Sequence, residues 1–243
     1  MERELLIEVF GKRPSRLEIL SAGLEKIKLG EDAQILETGC SFGDGVSFVC
    51  EKTGGRGFAV DIEEKYIDKA IDTHPHIEFQ CASVYELPYQ DSTFDLVFSQ
   101  ASFSLLKEKE KAIKEYYRVL KNSGHILIND FIVKDAIDDK IKSNMNFIPC
   151  FNSIGTLFEY IRLFESNSFH TIAAEEMYKE IIDTTLYLAK YYKCTPKEMT
   201  SIFASILGTD DSAEEKCHCF FESSKVSFAQ FIFAKKGKGC INF

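Results

Sequence analysis

The sequence predicts an α/β fold of the Rossmann-like class, in which a parallel sheet carries helices on both faces. Short apolar segments alternate with helical segments from about residue 34 to residue 132, the pattern of parallel strands joined by crossover helices. A glycine-rich turn follows the first apolar segment, and an acidic residue ends the second. The chain has 243 residues, enough for one large domain or for a domain with an insertion.

Five apolar segments are predicted to be strands of this sheet. They are residues 34–37, 57–61, 77–81, 94–99 and 125–132. Helices are predicted between them at residues 45–52, 63–72 and 107–121. The third helix has apolar residues on one face and is stopped by Asn122-Ser123-Gly124. Because ligands bind beyond the carboxyl ends of parallel strands, the turns after these strands are expected to line one site.

The pattern changes after Lys134 and becomes mostly helical. Helices are predicted at residues 153–166, 175–193 and 196–207, with a short strand at 169–173 and a closing strand at 225–235. The helical insertion at residues 175–221 has two interpretations. It is one more helical layer on the core, or it is a lid, a substrate-selecting cap or a dimer surface. Long insertions are often functional, so the second interpretation stays open.

Composition and charge exclude several classes of protein. The chain is 45% hydrophobic and 28% charged, which is typical of a globular protein. Its net charge of -9 argues against binding to nucleic acid or to anionic membranes, which requires a basic surface. No segment approaches the roughly 18 apolar residues of a membrane-spanning helix, and Met1-Glu2-Arg3-Glu4 is unlike the start of a signal peptide. We expect a cytoplasmic protein whose eight cysteines are free thiols.

The turn after the first strand, residues 37–45, reads ETGCSFGDG. Ser41 and Asp44 occupy two glycine positions of the dinucleotide-binding fingerprint, and no Lys-Ser or Lys-Thr follows to make a P-loop. What remains is a tight turn into a helix N-terminus, which favours an anionic group. Asp61 lies 22 residues after Gly39, near the ~20 typical of a carboxylate that binds a ribose. Together they suit a nucleoside ligand that carries a carboxylate and no phosphate, such as S-adenosylmethionine.

Four motifs in order resemble the class I S-adenosylmethionine-dependent methyltransferases, in the small-molecule branch with ubiquinone-, menaquinone- and arsenite-type members. Residues 35–43, ILETGCSFG, resemble the first motif, with Glu37 in the usual Asp position and Ser41 replacing a common glycine. Residues 58–62, FAVDI, resemble the second. The remaining resemblances are LPY with STFDLV at residues 87–97, YRVLKNSG at residues 117–124, and the Arg13-Pro14-Ser15 segment.

The resemblance implies a single methyltransferase domain with a seven-stranded sheet whose last strand is antiparallel. A helical insertion precedes that strand. The implied parts are an N-terminal helical cap at residues 1–30, a cofactor-binding core at 31–133, an acceptor side with the helical insertion at 134–224, and the closing strand at 225–235.

The resemblance also assigns a cofactor site residue by residue. The turn residues would pack against the methionine part, Asp61 would accept both ribose hydroxyls, and Ile62 would cover one face of the adenine. Ser83 and Val84 would meet the adenine edge, although many members have Asp where Ser83 stands, which removes a charge-assisted hydrogen bond. The complete expected set is Glu37, Gly39, Cys40, Gly43, Asp61, Ile62, Ser83, Val84, Ser99 by the sulfonium, and Gln100.

Two acidic residues keep alternative interpretations. Asp61 has a second role available as a cap for the helix that begins near Glu63. Asp130, at the carboxyl end of the fifth predicted strand, is the candidate general base and an equally good loop cap. No residue is therefore assigned as catalytic, and no metal is expected.

The expected function is methyl transfer from S-adenosylmethionine to a small-molecule acceptor by in-line displacement, with Phe103, Cys150 and Asn152 at the acceptor. One alternative is a metalloid methyltransferase of the arsenite type using Cys150. Such relatives carry another cysteine just after the fourth strand, where this chain has Gln100-Ala101-Ser102, although Cys217 and Cys219 are possible substitutes. The other alternative is a non-catalytic S-adenosylmethionine-binding protein. A homodimer through the helical insertion is a further expectation.

Overall fold

A single seven-stranded sheet organises the chain, and it confirms the predicted fold class. The computed structural model describes residues 2–135, 153–207 and 226–237. The strand order across the sheet is β3-β2-β1-β4-β5-β7-β6. The strands are β1 Gln34–Thr38, β2 Arg56–Asp61, β3 Glu78–Cys81, β4 Phe94–Gln100, β5 Leu120–Val133, β6 Phe169–Glu176 and β7 Val226–Lys235.

The helices of the described residues pack on the two faces of this sheet and beyond one edge of it. Before β5 they are α1 Glu2–Gly11, α2 Pro14–Leu24, α3 Asp44–Thr53, α4 Glu64–Thr73 and α5 Lys109–Val119, with a short 3-10 helix at Phe103–Leu105. After β5 they are α6 Leu157–Ser166, α7 Tyr178–Tyr192 and α8 Pro196–Leu207. Among these helices none is long and apolar enough to cross a membrane.

The first five strands are parallel, and β7 is antiparallel to both β5 and β6. The closing strand therefore runs as the resemblance implies. The pairing of β5 with β7 extends from His125 opposite Ala234 to Val133 opposite Val226. Because β1, β2, β4 and β5 are parallel, their carboxyl ends lie at the same end of the sheet, where ligands bind in folds of this kind.

The described residues contain at least three apolar clusters. One face of the sheet packs against α5 and α6 through residues such as Tyr116 and Phe164, and the other packs against α2 and α3 through Leu20 and Val46. A third cluster lies apart from both faces. It joins α1, α7 and α8 through Leu6, Val9, Leu188 and Met199. The N-terminal helix is thus held by the helical insertion.

Several predicted boundaries are wrong. The helix predicted at residues 107–121 ends at Val119, and the strand predicted at residues 125–132 begins at Leu120, because Leu120 is extended and pairs with Phe94 of β4. The strand predicted at residues 169–173 continues to Glu176, since pairing with β7 goes on and displaces the predicted start of the next helix. The helix predicted from residue 153 begins at Leu157, where Thr156 and Glu159 form a capping box.

Candidate functional site

The glycine turn between β1 and α3 has an unusual backbone. Gly39, Ser41 and Gly43 have φ values of 68°, 51° and 80°, all in the left-handed region. A Cβ on Gly39 would lie 2.6 Å from the Cβ of Ser102, and one on Gly43 would lie 2.5 Å from Cζ of Phe79. Glycine at these two positions therefore satisfies both the backbone angle and the lack of space. Ser41 adopts the same region at an energetic cost.

Asp61, the last residue of β2, ties this turn to the neighbouring strand. Its Oδ2 accepts a hydrogen bond from the backbone N–H of Ser41 at 2.8 Å, and its Oδ1 accepts one from the N–H of Glu63 at 3.0 Å. Burial raises the pKa of this carboxyl, and the backbone hydrogen bonds oppose that rise. The contact with Glu63 is the capping role considered above. Each carboxylate oxygen still has a lone pair available for a ligand hydroxyl.

Glu37, near the end of β1, is fully buried and fixes the turn that follows it. Its Oε2 accepts a hydrogen bond from the N–H of Val46 at 2.7 Å, and its Oε1 lies 3.3 Å from Nη2 of Arg16. A Cβ on Gly45 would lie 2.8 Å from Oε2 of Glu37 and 2.8 Å from Nη2 of Arg16. Only glycine therefore leaves room for this ion pair beside the turn. Burial raises the pKa of Glu37 to about 7, although the Arg16 charge lowers it.

The raised pKa of Glu37 predicts a pH-dependent stability. Between the ordinary value of 4.5 and about 7, the native state binds more protons at this carboxyl than the unfolded chain does. The free energy of unfolding therefore falls as pH rises through this window. We expect the stability of the wild type relative to Glu37→Gln to drop by on the order of 3 kcal/mol across the window, measured by urea unfolding. A difference that does not change with pH would show that Glu37 stays ionised throughout.

A cavity of about 900 Å³ opens in front of the turn, beyond the carboxyl ends of the parallel strands. Small-molecule sites span about 300–1,000 Å³, so this cavity is large enough for a nucleoside-sized ligand together with a second molecule. The strand side contributes the glycine turn, the end of β2 and the turn after β4. Helices α1 and α7 form the opposite wall.

The structure places the residues of the expected cofactor set in two groups. Those that line the cavity are Gly39, Asp61, Ile62, Ser83, Val84 and Gln100. Those that lie beside it, within the turn or the strands, are Glu37, Cys40, Gly43 and Ser99. Burial raises the pKa of the Cys40 thiol well above its ordinary value, which keeps this thiol protonated and unreactive at neutral pH.

Only one of the three expected acceptor residues, Phe103, lies within the described residues. Phe103 is fully buried in the core, where its ring lies 5.6 Å from that of Tyr160 and 5.4 Å from that of Phe164. Cys150 and Asn152 lie outside the described residues, as do Cys217 and Cys219. The described cysteines, Cys40, Cys50, Cys81 and Cys194, are free thiols.

A chain of hydroxyl groups links the ends of β1 and β4 below the cavity. The hydroxyls of Ser99 and Ser102 are 2.7 Å apart, and Ser102 donates to the carbonyl of Thr38 at 3.1 Å. The side chain of Thr38 in turn lies 2.9 Å from the hydroxyl of Tyr116. Between the two serines, Ala101 has a φ of 53°. This network fixes the turn after β4, which faces the glycine turn.

Asp130 is a structural cap in this arrangement. It is fully buried, its Oδ2 accepts from the N–H of Ser104 at 2.8 Å, and its Oδ1 accepts from the N–H of Phe131 at 2.7 Å. Burial raises the pKa of this carboxyl. It is not among the described residues that line the cavity. The loop-cap interpretation of Asp130 thus fits the geometry better than the general-base interpretation.

The outer wall is held by an ion pair between Arg13, which precedes α2, and Glu180 on α7. Nε of Arg13 donates to Oε1 of Glu180 on α7 at 2.7 Å, and each of these two side chains is only 2% exposed. Arg13 also donates to the carbonyl of Phe10 at 2.7 Å. Burial lowers the pKa of Arg13 to about 10, despite the opposing charge of Glu180. The guanidinium therefore remains charged at neutral pH.

Sequence reasoning missed many of the residues that line the cavity, among them Arg16, Tyr85 and Tyr116. Arg16 follows the Arg-Pro segment directly, which was a usable signal. Tyr116 lies on the apolar face predicted for α5, so the pattern showed its burial and not the use of its hydroxyl. Tyr85 accepts hydrogen bonds from the N–H groups of Lys107 and Glu108 at 3.0 and 3.2 Å, a contact between distant loops that no local pattern reveals.

Comparison with known sequences points to one family. The family described as a methyltransferase domain matches residues 36–128. A protein of Haemophilus influenzae without an assigned function is 32% identical over 123 residues, covering 47% of this chain and 49% of that protein. The sarcosine/dimethylglycine N-methyltransferase of Halorhodospira halochloris is 29% identical over 109 residues, covering 42% and 39%. The match thus spans about half or less of each of these relatives.

Comparison with solved structures agrees on the fold over most of the chain. A Galdieria sulphuraria protein, provisionally described as a sarcosine dimethylglycine methyltransferase, has a TM-score of 0.72 at 21% identity, covering 91% of this chain and 85% of that one. Phosphoethanolamine N-methyltransferase 2 of Haemonchus contortus, solved with phosphomonomethylethanolamine and S-adenosylhomocysteine, has a TM-score of 0.70 at 16% identity, covering 91% and 53%. Residues 36–128 therefore match a methyltransferase domain, and the solved structures share the fold over most of the chain.

Proposed function

We propose that this chain binds S-adenosylmethionine in the cavity and transfers its methyl group to a small-molecule acceptor by in-line displacement. One observation carries the proposal: the glycine turn and Asp61 are hydrogen-bonded to each other at one wall of a cavity with room for two ligands. The cofactor, when bound, supplies an electrophilic methyl group. The residues of the chain then have to bind and orient the cofactor and the acceptor, and they have to exclude water from the site.

The nucleoside end of the ligand is assigned to Asp61 and its neighbours. Asp61 would accept hydrogen bonds from the ribose hydroxyls on the lone pairs that the backbone leaves unused. Ile62 is 70% exposed at the cavity wall, and adenine would cover this apolar surface. Ser83 and Val84 follow β3 on the same side of the cavity, where the adenine edge would lie.

The methionine end is assigned to the glycine turn and Arg16. Lack of a Cβ on Gly39 lets a ligand approach the backbone closely. Arg16 lines the cavity, and its partner Glu37 is partly protonated near neutral pH because burial raises its pKa to about 7. The charge of Arg16 is therefore only partly balanced within the protein. That residual charge favours the carboxylate of the ligand.

The acceptor needs no assigned general base in this proposal. Displacement at the sulfonium methyl requires proton removal only when the acceptor atom arrives protonated. Asp130 is engaged by two backbone N–H groups and buried away from the cavity. The chain would act mainly by aligning the acceptor, with the turn after β4 and its hydroxyl network as the supporting surface.

Turnover tests the proposal directly. Labelled S-adenosylmethionine is incubated with the protein and a metabolite extract, and mass spectrometry follows the label. We expect label in one or a few small molecules, together with S-adenosylhomocysteine. Binding of S-adenosylhomocysteine without any turnover would favour a non-catalytic binding protein, and absence of binding would reject the site.

The comparisons do not favour the metalloid alternative. The relatives named above are N-methyltransferases or have no assigned function. The cysteines on which this alternative depends, Cys150, Cys217 and Cys219, lie outside the described residues. Thiol-dependent arsenite binding that disappears in Cys150→Ser would revive this alternative.

We further propose that the outer face of α7 is a homodimer surface. Tyr178, Ile182 and Leu186 recur every four residues on this helix and are 49%, 45% and 53% exposed, and such a stripe is typical of a helix that packs against a partner. Sedimentation velocity would test this, with Leu186→Lys expected to shift a dimer to monomer. A wild type that is monomeric at high concentration would reject the surface.

A further inference from the structure

The end of the cavity between α1 and α7 differs chemically from the end at the glycine turn. We call it the apolar end. Its lining comes from α1, from the 3-10 helix, from β5 and from α7. The apolar side chains there are Leu6, Ile7, Phe10, Leu105, Phe131 and Ile181. The rings of Phe10 and Phe131 stack with their centroids 6.1 Å apart, joining the N-terminal helix to the sheet across this end.

The cations that line the cavity in the described residues are already engaged or lie at its rim. Arg13 pairs with Glu180 at 2.7 Å, and Arg16 is held beside the glycine turn by Glu37. Lys65 pairs with Glu4 at 2.9 Å. Lys107 is exposed. Among the described residues, no unpaired buried cation would meet a phosphate or carboxylate placed in the apolar end, and a charge desolvated without a partner is strongly unfavourable.

The two threonine hydroxyls of α7 that line the cavity donate within the helix. Thr184 donates to Oε1 of Glu180 at 3.1 Å, and Thr185 donates to the carbonyl of Ile181 at 2.7 Å. Both threonines line the cavity. This wall thus presents neither a free cation nor an uncommitted threonine donor to a ligand.

From this distribution we infer that the methyl acceptor has an apolar body without a charged group and that it binds in the apolar end of the cavity. The inference rests on the proposed function, because it treats this end as the acceptor side of a methyltransferase site. The polar groups at the strand ends would then face the acceptor atom, and α1 with α7 would enclose the remainder. Small zwitterions and phosphorylated amines would be excluded as acceptors.

Two probes with the same ring system test the inference: neutral 1-naphthol and charged 1-naphthyl phosphate. Each is titrated by calorimetry into protein saturated with S-adenosylhomocysteine, so that only the acceptor side is open. We expect 1-naphthol to bind with a stoichiometry of one and 1-naphthyl phosphate to bind at least tenfold more weakly. Equal or tighter binding of the phosphate would overturn the inference, as would a wild type that binds S-adenosylhomocysteine and no naphthol.

A matched pair of variants locates the binding. Ile181 lines the cavity, whereas Ile71 is an exposed isoleucine on α4 that does not line it. Ile181→Asn should weaken naphthol binding about tenfold, since a half-buried aliphatic side chain is lost from the wall, while Ile71→Asn should leave binding unchanged. Equal effects of the two would overturn the inference. If Ile181→Asn does not fold, Ile7→Asn on α1, which lines the same end of the cavity, makes the same test.

A separate titration distinguishes this inference from the proposed function. Each protein is titrated with S-adenosylhomocysteine alone, and the two variants are expected to retain wild-type affinity because Ile181 lies on α7, away from the glycine turn, and Ile71 does not line the cavity. A wild type that fails to bind S-adenosylhomocysteine rejects the proposed function itself. A wild type that binds it normally but prefers the charged probe rejects only the apolar acceptor.

Discussion

Replacing Glu180 by alanine is expected to lower the free energy of unfolding by about 3–5 kcal/mol. The reason is that the Arg13 guanidinium, with a side chain only 2% exposed, would lose its ion partner at 2.7 Å and remain buried and charged. Its remaining contacts are the carbonyl of Phe10 and the ring of the same residue, 3.9 Å from the guanidinium carbon. These contacts do not supply a counter-charge. Urea unfolding of the wild type and the variant measures the difference.

The matched control is Glu175→Ala. Glu175 also pairs with a distant cation, Lys26, at 2.7 Å, but the two side chains are 55% and 34% exposed. An exposed pair of this kind contributes about 0–1 kcal/mol. A loss at Glu180 no larger than that at Glu175 would mean that water reaches Arg13 in the folded protein. In the double variant Arg13→Met/Glu180→Leu, much of the lost stability should return, because no buried charge remains.

The second large effect is expected at Asp61. Asp61→Ala should weaken binding of S-adenosylhomocysteine by tenfold or more, since hydrogen bonds to a charged group contribute about 1.5–3 kcal/mol. The variant also loses the hydrogen bonds from the N–H groups of Ser41 and Glu63, so a modest loss of stability should accompany the loss of affinity. Calorimetric titration gives the affinity, and thermal unfolding gives the stability.

Glu64→Ala is the control for Asp61, because Glu64 is an exposed carboxylate in the first turn of α4. It should leave both affinity and stability close to wild type. If Asp61→Ala lowers the melting temperature and leaves the affinity unchanged, Asp61 is only a structural link between the turn and α4. The cofactor assignment would then rest on the wrong acid.

The parts of the fold that the sequence predicted well are those with short-range signals. Apolar segments next to turn residues located β1, β2 and β4, and the spacing from Gly39 placed Asp61 at the same wall as the glycine turn. Boundaries set by distant pairing were less predictable. The extension of β6 to Glu176 depends on β7, which follows it by some fifty residues along the chain.

The same distinction applies to the site. Resemblance supplied residues at the strand ends, and six of them line the cavity. It could not supply the opposite wall, because α1 is held at the cavity by contacts distant in sequence, with α7 and α8 and, through Glu4, with Lys65 of α4. Nor could the apolar pattern around Phe103 distinguish a core side chain from an acceptor contact. Both kinds of residue are apolar, and only the direction of the side chain separates them.

The tie between Arg13 and Glu180 has a consequence for synthesis on the ribosome. The two residues are 167 positions apart in the chain, and translation adds roughly 5–20 residues per second. The N-terminal helix therefore emerges roughly ten to thirty seconds before its partner helix exists. During that interval the sheet strands around the glycine turn can pair while the cavity has no outer wall. A nascent chain would thus expose the glycine turn and Asp61 to solvent before the residues of α7 have been added.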